Sequence, residues 1–346
     1  MKLARATADP IDIRLNETLT TGAGGVGDRG GLRLMLVTDQ GAIGLGETAP
    51  IPAVTGPGIE SLAAEIEAWS EQVEGAEVES ALGELDSHKL GPLARFAVHT
   101  ALVDLVSSAA SVPLSEYLRS GSTAQVKVNA LVSESNPGAV HDRVSELVRE
   151  GVRAVKLKVG ASSITEDVTR IIAASEAGGT DVELRLDANR VWDAPTAEKV
   201  IGRVGKHRIS YIEDPTETLE EFQSIAEATG VPVALDISPS TTAAEQIDRA
   251  GVELVIAKPA AVGGVDRIMD IARSNRDLTL IVSTSIDREI ALAAAIHAAA
   301  AVPGEARAHG LATGSLVRNT PKELLAHDGI INVPRGPGVY RPPATD

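Results

Sequence analysis

Six charged side chains draw attention because each closes a short apolar run. Lys156-Leu157-Lys158 ends one run, Asp187-Ala188-Asn189 the next, and Glu213-Asp214-Pro215 a third; Asp236 and Lys258-Pro259 end two more. Lys158, Asp187, Glu213, Asp236 and Lys258 follow one another at intervals of 29, 26, 23 and 22 residues. Side chains alternate along a strand, so Lys156 and Lys158 share one face. A lone Lys or Asp at a strand end is usually solvated or half of a structural ion pair. Five consecutive runs, each ending in such a group, ask for chemistry. Three carboxylates are hard oxygen ligands suited to Mg²⁺, with Mn²⁺ as a substitute, and they leave positions for water and substrate oxygens. Buried together without a cation they would repel one another. Lysines beside such a cation lose proton affinity through like charge and desolvation, which makes a lysine a general base near neutral pH.

The elements that must position these groups have a regular rhythm. Strand-like runs at 125–132, 154–159, 182–187, 210–213, 231–236, 252–257, 279–284 and 306–312 alternate with helical patterns at 138–150, 163–177, 195–205, 217–229 and 240–250. This predicts a (β/α)8-type barrel, written (β/α)7β, over residues 125–316, with the charged groups at the strands' C-terminal ends where barrel active sites are built. An open doubly wound sheet would carry a glycine-rich phosphate turn after its first strand, and none is present. Residues 1–124 read differently, as an α+β capping domain. Strands at 31–38 and 42–48 flank the turn Asp39-Gln40-Gly41, and helices follow at 59–74 and 92–110. The glycine-rich stretch 20–31 and the Pro/Gly-rich stretch 49–58 read as mobile loops that close over the site. Residues 317–346 are expected to return to the cap.

Composition narrows the partners. The 48 acidic against 32 basic residues give a net charge of −16, which repels nucleic acid phosphates, and 2% aromatics leave few stacking platforms. The absence of cysteine removes thiolate nucleophiles and cysteine-based zinc sites. No apolar run reaches the roughly 20 residues a membrane helix needs. A cytoplasmic enzyme acting on a small-molecule carboxylate is expected, with no nucleic acid or membrane partner and with homo-oligomerisation left open.

Lys-x-Lys, then Asp, Glu and Asp on three successive strands, then Lys, resembles the muconate lactonizing enzyme subgroup of the enolase superfamily. The run RFAVHTALVDLVSSAASVPLSEYL (95–118) is similar to that family's last cap helix and its link into the barrel. The resemblance implies that Lys158 is the base at the substrate α-carbon, with Lys156 supporting it and Lys258 on the opposite face. It implies that Asp187, Glu213 and Asp236 bind the metal. Asn189 and the small residues Ser283, Thr284 and Ser285 are placed near the substrate, the last three against its carboxylate. Arg29, in Asp28-Arg29-Gly30-Gly31, resembles the arginine of the cap loop in o-succinylbenzoate synthases, as do GETAPIP (46–52) and HGLATG (309–314). A dehydration through an enediolate, in menaquinone biosynthesis, is therefore expected. The Asp-x-Asp that dipeptide epimerases carry on strand eight, to grip an α-ammonium group, is missing from Ala308-His309-Gly310-Leu311-Ala312-Thr313. Ile237 stands after Asp236 where the family commonly has Glu. The alternatives are an N-acylamino acid racemase, a muconate cycloisomerase-like enzyme, or a catalytically silent barrel that only binds. Among the histidines only His309 approaches the barrel rim.

Overall fold

The structure, a computed structural model, describes residues 1–16, 19–21, 24–51, 58–205, 208–239, 241–274, 277–304 and 307–341. Residues 22–23 and 52–57 of the two expected lid loops lie outside the described residues, as do Pro52 of the GETAPIP run and His207.

The chain opens with a strand that the sequence reading did not expect, β1 (Leu3–Ile13). Its Ala, Thr and Pro content carries little strand signal; it is ordered by pairing antiparallel with β4 (Arg29–Thr38), Pro10 lying opposite Leu32. In the order β1-β4-β5 it is an edge strand, where a missing N–H is tolerated. The glycine-rich stretch is not a plain loop: β2 (Leu19–Thr21) and β3 (Gly24–Val26) pair antiparallel, and Arg29 already belongs to β4. β5 (Ile43–Thr48) follows the expected turn, where Gly41 takes φ +78°. The helix Pro92–Ala109 packs on β5 so closely that a Cβ on Gly46 would lie 1.9 Å from the Ala97 carbonyl oxygen.

The run expected at 125–132 divides. β6 (Gln125–Lys127) pairs antiparallel with β14 (Ile330–Asn332), and β7 (Ala130–Val132) enters the large sheet. That sheet is parallel, with β7, β8 (Ala154–Lys158), β9 (Glu183–Asp187), β10 (Tyr211–Glu213), β11 (Val233–Asp236), β12 (Leu254–Ala257) and β13 (Thr279–Val282) as successive neighbours. The expected eighth strand is reduced to two parallel bridges, Val128 with His309 and Ser283 with Gly310. These complete the ring: the His309 carbonyl accepts from Asn129 N–H and the Gly310 N–H donates to Val282. Helices such as Ile164–Gly178, started by the Ser163/Glu166 capping box, follow the strands and cover the barrel. The architecture is a TIM-like α/β barrel with an N-terminal capping domain. Among the described residues no helix is long and apolar enough to cross a membrane.

Cap and barrel are joined by buried charge. Glu47 accepts from Arg33 Nε at 2.8 Å and from the N–H groups of Ile290 and Ala291, so its carboxylate sits at the N-terminus of the barrel helix Glu289–Ala301. Arg95 of the cap helix donates to the Gly263 carbonyl and to Asp266. The last described residues lie on the same helix, Val339 N–H and Arg341 both donating to Asp104.

Two buried histidines serve as acceptors for backbone N–H groups. His297 Nδ1 accepts from Ser115 N–H at 3.2 Å, and His309 Nδ1 accepts from Val282 N–H at 2.9 Å. Neither Nδ1 can hold a proton without setting donor against donor. Burial lowers each pKa to about 4, helped at His309 by Arg185. Between about pH 6.5 and 4 the unfolded chain therefore binds protons that the folded chain refuses, so stability falls as pH falls through that window and is flat above it. The expected loss is on the order of 3 kcal/mol per histidine across the whole window. Urea midpoints at pH 7 and 5 measure it; a His297→Gln variant, whose amide can accept from Ser115 N–H and donate to the Val339 carbonyl that His297 Nε2 meets at 2.8 Å, should lose less between those pH values than the parent.

Candidate active site

The rim of the barrel brings the two lysines of β8 into contact with Asp187 and Glu213, and Lys258 into contact with Asp236. Alternation along β8 points Lys156 and Lys158 inward together, and both reach Asp187 Oδ2 at the end of β9, at 2.9 and 2.7 Å. Lys156 also bridges to Glu213 at the end of β10, 3.0 Å from Oε1. Lys258, following β12, is paired with Asp236 Oδ2 at the end of β11. β8 and β12 hold the second and sixth of eight positions around the ring, so Lys158 and Lys258 enter the site from opposite sides. Asp187 and Glu213 are buried, with only 1% and 2% of their surface exposed.

The electrostatics show a site with strong internal competition. Burial drives Glu213 up to about 8, the neighbouring Asp187 and Asp236 push the same way, and Lys156 opposes them. Burial works against Asp187 too, but Lys156 and Lys158 outweigh it and hold that carboxyl well below the usual range. The lowered lysine proton affinity expected beside a cation concerns the metal-bound site; in the carboxylate-paired state the pull on Lys156 and Lys258 runs the other way. Burial disfavours the charge on Lys156, yet Asp187 and Glu213 raise its pKa well above the lysine value; burial also opposes the charge on Lys258, and Asp236 and Glu213 outweigh it to raise that pKa. A lysine clasped by a carboxylate is a poor base until that carboxylate finds another cation.

Asn189 lies closer to a lysine than to open space. Its Oδ1 accepts from Lys158 Nζ at 2.7 Å, and its N–H donates to Asp187 Oδ1. The hydroxyls of Ser283 and Thr284 are turned to the eighth position of the ring: Ser283 Oγ donates to the Gly310 carbonyl, and Thr284 Oγ1 lies 2.6 Å from Thr313 Oγ1. Ser285 contributes its backbone, its N–H donating to Asp287 Oδ2 and its carbonyl accepting from Arg29. Arg29 is buried rather than solvated. Its Nη2 donates to the carbonyls of Ser285 and Ile286, clipping the cap to the end of β13, while Nε and Nη1 have no protein partner. Ile286 pays for this clip with φ +61°, a conformation that costs a β-branched residue about 1–3 kcal/mol and clusters at functional sites. His309 does not reach the rim's open side: its ring is 4% exposed and engaged by Val282.

Among the described residues, no three carboxylates or imidazoles are grouped closely enough to hold an ion as they stand, because lysines stand between them. The donor set nevertheless suits a divalent cation. Asp236 Oδ1 is buried without a hydrogen-bond partner, and Glu213 is forced toward its neutral form by burial and then by its carboxylate neighbours, both signs of a site short of positive charge.

The sequence profile described as Enolase C-terminal domain-like matches residues 139–339. The chain belongs to the enolase superfamily. Within the superfamily it is 27% identical over 319 residues to the hydrophobic dipeptide epimerase of Enterococcus faecalis, covering 89% of this chain and 90% of that protein. It is 31% identical over 217 residues to the o-succinylbenzoate synthase of Mycolicibacterium smegmatis, covering 60% of this chain and 65% of that one. The crystal structure of the E. faecalis dipeptide epimerase with Mg and L-Leu-L-Tyr shares the fold, with a TM-score of 0.88 at 24% identity over 98% of this chain and 99% of that one.

The sequence reading passed over three residues beside this superfamily site. Asp287 is buried next to Arg29 with one oxygen unpartnered. Arg190 and Asp214 pair at 2.7 Å immediately behind the carboxylates. Asp214 and Arg190 each adjoin a residue already singled out, and charge beside a strand-end carboxylate was the available signal; Asp287 had none beyond a polar residue after Ser283-Thr284-Ser285.

Proposed function

We propose that this enolase-superfamily enzyme removes the α-proton of a carboxylate substrate that lacks a free α-ammonium group, and that its reaction is the dehydration catalysed by o-succinylbenzoate synthases. The observation that carries the reading is the pair of partly buried lysines set across the ring from each other with three strand-end carboxylates between them. Asp187, Glu213 and Asp236 would hold Mg²⁺, which supplies positive charge to the substrate carboxylate as electron density builds on its oxygens. Lys158 takes the α-proton, and in the dehydration it returns a proton to the departing hydroxyl on the same face. Asn189 Oδ1 orients the Lys158 ammonium between these two tasks. Lys156 bridges Asp187 and Glu213, holding Asp187 ionised and opposing the upward push on Glu213. Lys258 stays protonated and places a cation on the far face of the developing enolate.

Two features favour this over dipeptide epimerisation despite the full-length epimerase relative. The eighth position offers Gly310-Leu311-Ala312 and no carboxylate for an α-ammonium group. Arg29 turns two unpartnered guanidinium nitrogens into the cap–barrel seam, donors suited to a second carboxylate or an acyl oxygen. A second reading, racemisation of N-acylamino acids, is favoured by the symmetry of the lysines: Lys258, like Lys158, is partly buried and paired with a strand-end carboxylate, as a second base on the opposite face must be. Assay of the purified protein with Mg²⁺ against the hydroxy-cyclohexadiene carboxylate precursor, N-acylamino acids of both hands, and dipeptides separates the readings. Turnover of dipeptides alone would overturn the proposal.

Arg29 offers a further check. Arg29→Ala removes a charged hydrogen-bonding group of the kind that contributes about 1.5–3 kcal/mol, so kcat/KM should fall about 10–100-fold, mainly through KM. Steady-state kinetics on the true substrate measures this. Unchanged kinetics with a lowered Tm would leave Arg29 as a clip between cap and barrel alone.

A further inference from the structure

Asp236 is the least enclosed of the three carboxylates and is followed by Ile237, where the superfamily pattern commonly supplies a glutamate. Its backbone is nonetheless gripped on both sides. Asp236 N–H donates to Asp214 Oδ1 at 2.9 Å, and the Asp236 carbonyl accepts from Arg190 Nη2 at 3.2 Å. Arg190 Nε closes the loop by donating to Asp214 Oδ2 at 2.7 Å, and Arg190 N–H donates to the Asp214 carbonyl at 2.7 Å. Three strand ends, those of β9, β10 and β11, are thus tied through one guanidinium–carboxylate pair. The tie is held under strain: Asn189, Arg190 and Asp214 have φ of +47°, +63° and +41°, and none is glycine. Left-handed non-glycine residues persist only where the surroundings impose them, and they gather at functional sites.

We infer that Arg190 and Asp214 are positioning residues that fix Asp236 for metal binding, in the role that a charged residue after Asp236 would otherwise share. The inference rests on the reading of Asp236 as a metal ligand. An orienting partner of this kind acts by holding a ligand in its binding direction before the ion arrives, and its loss weakens metal affinity about 10–100-fold. The same turn has a second effect on the site. Because Asn189 and Arg190 are consecutive, the conformation that sends Arg190 to Asp214 also presents Asn189 Oδ1 to Lys158.

Arg190→Gly separates positioning from mere structural support, because glycine relieves the φ of +63° while deleting the clamp. Mg²⁺ affinity is measured by titration calorimetry and Tm is measured in EDTA, for the wild type, Arg190→Gly, Arg190→Gln and Arg190→Lys. The expected result is Mg²⁺ binding about 10–100-fold weaker in Arg190→Gly and Arg190→Gln, partial recovery in Arg190→Lys, and a Tm in EDTA no lower in Arg190→Gly than in Arg190→Gln, since both lose the partner of Asp214 but only glycine relieves the backbone. A structural role alone would lower Tm and leave the affinity of the folded protein unchanged. Wild-type affinity in both Arg190→Gly and Arg190→Gln overturns the inference while leaving the metal reading intact. Failure of the wild type itself to bind Mg²⁺ overturns the metal reading, and this inference with it.

Discussion

Lys158→Ala should lower turnover by about 10²–10⁴-fold, the range that a positioned general base contributes, and exchange of the substrate α-proton with D₂O should disappear with it. The variant leaves Asp187 paired with Lys156 at 2.9 Å, so the fold around the carboxylates keeps its main ion pair and the loss can be assigned to proton transfer. Lys258 answers a different question. If the enzyme works on one face, Lys258→Arg keeps a cation opposite Lys158 and retains part of the dehydration, although the guanidinium differs in shape and cannot give up its proton. If it racemises, the same change stops inversion in both directions, because each enantiomer needs one lysine as acid and the other as base. Wild-type enzyme incubated in D₂O with N-acylamino acids of each hand decides the matter. Rapid deuterium incorporation with inversion from both enantiomers, and no turnover of the cyclohexadiene acid, would establish the racemase instead.

How much of this was legible in the sequence follows from which interactions are local. The barrel was readable because each β/α unit carries its own apolar run and its own helix, and the site was readable because strand alternation fixes which side of β8 its lysines take. β1 was not readable, since its order comes from pairing with β4 some 16 to 35 residues away in the chain, not from its own composition. The eighth strand was overread: residues 306–312 suggested a full strand, but among its described residues, 307–312, His309 and Gly310 alone close the ring, with His309 turned inward as an acceptor. Lysine proton affinity is less legible than spacing, because it depends on the charges around each ammonium: where carboxylates are the nearest charges they raise it, as at Lys156 and Lys258, whereas the lowering expected beside a cation belongs to the metal-bound site. Arg190 and Asp214 went unnoticed because their left-handed backbones and their grip on Asp236 exist only once three strands are side by side.

The carboxylates give the other large effect, and with it an unusual combination of signs. Glu213 is buried, is repelled by Asp187 and Asp236, and is pushed up to about 8 despite Lys156 beside it. Its charge is therefore a burden on the protein without metal. Glu213→Gln keeps the shape and an acceptor for Lys156 Nζ while removing the repulsion, so Tm in EDTA should stay level or rise. Activity should move the other way. Lewis-acid assistance contributes several kcal/mol to reactions of this kind, so weakening the ligand set should cost about 10³-fold or more in kcat/KM. The rise in Tm that Mg²⁺ gives the wild type, which follows from binding the folded state alone, should also vanish. Residues retained for packing lose stability when replaced; a residue kept for function against the interest of stability gains it. Thermal melts of both proteins in EDTA and in Mg²⁺, beside their kcat/KM values, test this directly. A Glu213→Gln variant that is fully active, or that still gains the wild-type increment from Mg²⁺, would remove Glu213 from the metal set.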